Sequence, residues 1–144
     1  MKTVLYAGIF LVLIMLLCGC TTTPPPEGTH PPEPKIPSLV GNWSGPMTGY
    51  TEGLGFTDYT GKQITMRVTE QKDRVFAGEF VYTNVSWKPT SFSGAISHDG
   101  MTLTIVEKGG GYSYGTLIAP DKIDLVYADA REPYEVAIDM LKKD

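Results

Sequence analysis

From Leu39 to the end of the chain, apolar and polar side chains alternate in short runs that break every eight to twelve residues. Period-two alternation marks strands that turn one face to a core, and no helical spacing competes with it over most of this length. Ile64, Met66 and Val68 interleave with Thr65, Arg67 and Thr69. Phe76, Gly78, Phe80 and Tyr82 interleave with Val75, Ala77, Glu79 and Val81, and Met101, Leu103 and Ile105 with Thr102, Thr104 and Val106. Similar runs cover residues 91–97, 112–118, 123–127 and 134–140, and residues 39–50 open the series. Between them stand Gln71-Lys72-Asp73, His98-Asp99-Gly100, Gly109-Gly110-Gly111 and Pro120-Asp121, which are turn sequences because glycine admits a positive φ and proline lacks a donor.

The pattern therefore predicts about eight short antiparallel strands. The last segment also fits a helical face through Val136, Met140 and Lys143; a strand is the preferred reading. Eight such strands close into a barrel or pack as two sheets. Neither of the two cysteines, Cys18 and Cys20, lies in this region, so no disulfide spans it, and the Cys pair of an immunoglobulin-type sandwich is missing. A barrel leaves no open edge on a lone domain. The expected fold is all-β, a small antiparallel up-and-down β-barrel over residues 39–144, with a β-sandwich as the alternative.

The first twenty residues carry an address. Met1 and Lys2 precede an apolar run from Val4 to Leu17, which is shorter than the ~20 residues a membrane-spanning helix needs. The run ends Leu17-Cys18-Gly19-Cys20 and resembles the lipobox of prokaryotic lipoproteins. That resemblance implies cleavage of a 1–20 signal segment before Cys20, lipid attachment on the Cys20 sulfur, and a place on the outer face of the cell membrane or envelope. Acyl chains contribute about 0.8 kcal/mol per buried methylene, so two or more hold a soluble domain at a bilayer. An uncleaved anchor helix and plain secretion are the other readings, and all three put the domain outside the cytoplasm.

Residues 21–38 hold seven prolines and almost nothing apolar. Such a stretch favours extended polyproline II and suits a spacer. The net charge is −4. Without a basic excess the chain has no general surface for nucleic acid, and no nucleic-acid partner is expected.

The barrel region opens Leu39-Val40-Gly41-Asn42-Trp43-Ser44-Gly45. A Gly-x-Trp on the first strand of an eight-stranded barrel resembles the lipocalins and avidins, the calycin group. The resemblance implies that Gly41 permits a tight entry and that Trp43 plugs the barrel floor. Lipocalins usually stack a late-strand Arg on that Trp; Arg131 instead precedes the last strand.

Motifs for catalysis are missing. His98 is the one histidine after residue 38 and lies in a turn beside Asp99; there is no Gly-x-Ser-x-Gly elbow and no HExxH. The carboxylate pairs Asp121/Asp124 and Asp129/Glu132 fall at connections and read as solvated charge. Gly109-Gly110-Gly111 is followed by a strand rather than the helix a phosphate loop needs. Glu52 and Asp58 lack calcium-loop spacing. No enzyme activity, metal or cofactor is expected.

The binding candidates are aromatic. Residues 49–61 read GYTEGLGFTDYTG, a long first loop whose Tyr50, Phe56 and Tyr59 are placed to lid a barrel mouth. Tyr82, Trp87, Tyr112 and Tyr127 fall near strand ends, where amphipathic rings line openings. Asn84 heads an Asn-x-Ser sequon in a hairpin turn and is a candidate glycosylation site; Asn42 heads another beside Trp43. The expected role is a membrane-anchored binder of a small apolar or aromatic ligand. The alternative is a non-catalytic accessory protein of the cell envelope that works through protein contacts.

Overall fold

The computed structural model describes residues 34–57 and 59–144. The stretch read as a signal segment, Cys20, the stretch read as a tether up to residue 33, and Asp58 lie outside the described residues. The described chain is all-β: β1 (Gly41–Thr51), β2 (Gly55–Thr57), β3 (Gln63–Lys72), β4 (Val75–Thr83), β5 (Thr90–Ile96), β6 (Thr102–Glu107), β7 (Tyr112–Ala119), β8 (Lys122–Asp129) and β9 (Glu135–Lys143). Eight of these form an antiparallel meander that closes through pairing of β1 with β9, so the fold is a barrel and not a sandwich. The last segment is a strand throughout, with no helical turn.

Residues 49–61 depart from the expected loop. Gly49–Thr51 complete β1, and Gly55–Thr57 return as the short ninth strand β2, paired with Thr51, Tyr50 and Gly49. The extra strand extends the outer wall of the barrel rather than folding over its mouth. Shifts of register between Val68 and Glu70 and between Leu117 and Ala119 add the bulges that help strands curl into a closed wall.

Inward side chains divide the barrel into two halves. In the lower half Trp43, Met66, Val68, Phe76, Ile96, Leu103, Ile123 and Leu141 are buried and packed together. Each contributes about 1.5–3 kcal/mol by leaving water, which gives a disulfide-free domain its core. Residues 34–40 lie at this closed end. Leu39 is fully buried, its N–H donates to Gln71 Oε1 (2.7 Å), and Gln71 Nε2 donates to Pro37 O (2.9 Å). Ile36, inside the stretch read as tether, packs against the core.

The face of β9 is opposite to the one its hydrophobicity suggests. Tyr134, Val136, Ile138 and Met140 are 45–55% exposed, while Asp139 and Leu141 are buried. The deciding residue is Leu141, which belongs to the packed half and fixes the parity of the whole strand.

Candidate ligand-binding cavity

The upper half of the barrel is hollow. A cavity of about 480 Å³ opens between the β4–β5, β6–β7 and β8–β9 connections. Its base is apolar: Met47, Ile64, Phe80 and Leu125. Small inward residues make the room, since Ala137 on β9 and Ser113 on β7 stand where large residues would fill the space.

One side of the mouth is aromatic. Trp87, from the β4–β5 connection, meets Tyr82 edge-on at 5.2 Å and Tyr59 edge-on at 5.9 Å between ring centres. Edge-to-face contacts suit the ring quadrupoles and hold the three rings as a unit. Tyr127 lines the cavity from β8, and its hydroxyl donates to Asp129 Oδ2 (3.2 Å). Burial and neighbouring carboxylates push the phenols of Tyr82 and Tyr127 up, so both remain neutral donors.

The lining is also acidic. Glu107, Glu135 and Asp139 line the wall. Asp139 is only 2% exposed, and its Oδ1 has no hydrogen-bond partner among the described residues. Burial, and then the charge of Glu107, raise its carboxyl to about 7. Burial likewise raises Glu107 to about 7, although Ser113 Oγ donates to its Oε1 at 3.1 Å and works the other way. Glu135 accepts from Thr51 Oγ1 (3.4 Å). At the rim Arg131 clasps Asp129 through Nε and Nη2, which holds the Asp129 carboxyl well below its usual range.

The aromatic residues named from the sequence divide accordingly. Tyr59, Tyr82, Trp87 and Tyr127 line the cavity; Tyr50, Phe56 and Tyr112 do not. Phe56 is 89% exposed and stacks edge-on against Tyr50 on the outer wall. Tyr112 points outward because Ser113, its neighbour on β7, takes the inner position. At the opposite end Trp43 is fully buried, and its Nε1 donates to Leu39 O (2.7 Å). Gly41 precedes it with φ +127°, a conformation that L side chains rarely adopt.

Asn84 sits in the β4–β5 turn with positive φ, exposed, and its Nδ2 donates to Gly61 O (2.8 Å). His98 is exposed at the closed end, remote from the cavity, and Asp99 caps its own turn by accepting from the Met101 and Thr102 N–H groups. Sequence reading missed Glu107, Glu135 and Asp139. Their signal was parity with Leu141 on β9 and with Leu103 and Ile105 on β6, which places each of them inside.

No family model matches the sequence, and no curated protein matches it. Among solved structures the chain is similar to a redesigned β-barrel, with 18% identity, a TM-score of 0.50, and coverage of 74% of this chain and 91% of that one. This likeness agrees with the closed barrel seen here. Two matches of lower similarity are a de novo designed fluorescence-activating β-barrel (12% identity, TM-score 0.44, 74% and 94% covered) and a redesigned β-barrel solved bound to DFHBI (13%, 0.43, 73% and 98%).

Proposed function

We propose that this protein is a non-catalytic, lipid-anchored extracytoplasmic binder that holds a small, partly aromatic molecule in the upper half of its barrel. The carrying observation is the cavity: about 480 Å³, an apolar base and an aromatic mouth. A barrel interior filled by side chains would leave no such space, and clefts of ~300–1,000 Å³ are the usual size for small-molecule sites. The lipobox-like Leu17-Cys18-Gly19-Cys20 supports the anchor, with lipid on Cys20. Residues 34–40 enter the barrel at its closed end, opposite the mouth.

A thermal-shift series with small aromatics, sugars and fatty acids tests the binding role, with Trp87→Ala as control. Ligands that raise the melting temperature of the parent but not of the variant support it. The absence of any shift across the series opposes it. Anchoring is tested by metabolic labelling with a radiolabelled fatty acid, which should mark the parent chain and not Cys20→Ser.

The accessory reading is favoured by a separate feature. Tyr112, Tyr114, Val126, Ile138 and Val136 form a contiguous exposed apolar band across β7, β8 and β9, and Tyr50 and Phe56 extend it. Such a band suits contact with an envelope protein, and a photo-crosslinker at Tyr114 should then capture one discrete partner.

A further inference from the structure

We infer that the ligand is an organic cation, an aliphatic ammonium on an aromatic or apolar body, with its charge seated against Asp139. This inference rests on the binding role proposed above and specifies its ligand class.

The cavity lining combines two chemically distinct sets of side chains. Tyr59, Tyr82 and Trp87 present rings whose faces and edges suit a flat apolar body or a cation. Glu107 and Asp139 line the same cavity, close enough for their charges to act on the Tyr82 phenol, with Glu135 nearer the rim. A buried carboxylate is normally paired, because leaving one unpaired in an apolar setting is costly. Asp139 has no such partner: it is 2% exposed, lines the cavity, and its Oδ1 meets no donor among the described residues. Glu107 has a single hydroxyl donor, from Ser113. The molecule thus keeps acceptor capacity in a place where it lowers stability and where only an incoming donor uses it.

The alternatives fit less well. An anionic ligand would meet these carboxylates at the depth of the cavity. Of the cations near the mouth, Arg131 is already committed to Asp129, and Lys88 and Lys108 are exposed at the rim. A neutral ligand without a donor leaves Asp139 Oδ1 unpaired, and a neutral donor satisfies the hydrogen bond but leaves the buried charge uncompensated. A metal ion needs several ligands converging on one point, and no three His, Cys, Asp or Glu side chains do so among the described residues. An ammonium needs only one or two acceptors and an apolar cradle, and both are present.

Three probes of matched shape test this: tryptamine, tryptophol and indole-3-acetate, which carry an ammonium, a hydroxyl and a carboxylate on the same ring and chain length. Calorimetric titration at pH 8 is expected to show tryptamine binding at least tenfold more tightly than tryptophol, with indole-3-acetate weakest. Asp139→Asn should bring tryptamine down to the affinity of tryptophol and leave tryptophol unchanged. If tryptophol or indole-3-acetate binds as well as tryptamine, or if Asp139→Asn leaves tryptamine unaffected, the cation assignment is overturned while the cavity stands as a binding site. If none of the three binds at millimolar concentration, the cavity itself is not a site for such molecules and the assignment falls with it. Circular dichroism of Asp139→Asn checks that the variant retains its strands.

Discussion

The Lys143 ammonium stands 4.9 Å from the centre of the Trp43 indole ring, the two residues being direct neighbours across β1 and β9. The same ammonium donates to Ser38 O at 3.1 Å. One lysine therefore joins the last strand, the buried Trp43 and the entering chain at the closed end. A cation over the floor tryptophan comes here from the end of β9, whereas Arg131, the arginine before that strand, lies at the mouth.

Loss of that contact should be measurable. Lys143→Met keeps the stem but removes the charge and is expected to lower stability by about 1 kcal/mol in urea unfolding. Trp43→Ala should cost about 3–5 kcal/mol, since it removes a fully buried indole from the packed half. Equal stability of Lys143→Met and the parent chain would show that the ring and the ammonium do not interact.

The acidic wall predicts a stability that falls as pH rises. The carboxyls of Asp139 and Glu107 are raised to about 7 in the fold, from ordinary values near 4 in the unfolded chain. Between those values the folded state holds protons that the unfolded state has released, so stability decreases across this window and levels off above it. The groups that share the cavity and its rim are Tyr59, Tyr82, Tyr127, Asp129, Glu135, Lys88, Lys108 and Arg131. The carboxyl of Asp129, held low by Arg131, and that of Asp99, held at about 2 by Thr102, add stability that is lost only at lower pH. The melting temperature should therefore be higher at pH 5 than at pH 8. Asp139→Asn should flatten the difference and add about 1–3 kcal/mol at pH 8, because a neutral amide replaces a buried charge. A parent chain that is more stable at pH 8 than at pH 5 would contradict the burial of these two groups.

Gly45 stands where β1 and β9 approach too closely for a side chain. A Cβ there would stand 2.0 Å from the Met140 carbonyl oxygen and 2.8 Å from its carbon. Both atoms are backbone of β9, so relief requires parting the two strands that close the barrel. Gly45→Ala should cost about 1–3 kcal/mol or more by overpacking. Gly53 gives the contrast: nothing lies within 4 Å of its Cβ position, but its φ is +78°. Gly53→Ala should cost only about 1 kcal/mol, from backbone conformation alone. Chemical denaturation of both variants separates steric closure from turn strain.

Where side chains fill the interior, alternation in the sequence reads the fold well. Ile64, Met66 and Val68 on β3, and Leu103 and Ile105 on β6, are all inward and buried, as their spacing implies. The reading weakens where the barrel is hollow. On β9 the outward Val136, Ile138 and Met140 are more apolar than the inward Glu135, Ala137 and Asp139, because no core demands apolar residues at that height. The same holds on β7, where Ser113 faces the cavity and Tyr112 and Tyr114 face outward. Hydropathy marks a face only against a packed interior, and so a cavity hides its own lining from that test. Position at a strand end picked out Tyr82, Trp87 and Tyr127, which line the cavity, and equally Tyr112, which points outward, so that signal finds an opening without telling its two faces apart. The acidic half was legible only through parity with Leu141 and Ile105.

The two tryptophans sit in opposite environments and report on the two halves separately. Trp43 is fully buried at the closed end, and Trp87 is 48% exposed at the mouth. Indole emission shifts to longer wavelength in water, and a soluble quencher reaches only exposed rings. Trp87→Phe should therefore leave a single short-wavelength emission, from Trp43, that acrylamide barely quenches. Trp43→Phe should leave a red-shifted, readily quenched emission from Trp87. A ligand entering between Tyr59, Tyr82 and Trp87 should then shift the emission of Trp43→Phe and leave that of Trp87→Phe unchanged, since the packed lower half separates Trp43 from the cavity. A ligand-induced change in the Trp87→Phe spectrum, with none in Trp43→Phe, would place binding at the closed end and contradict the assignment of the mouth.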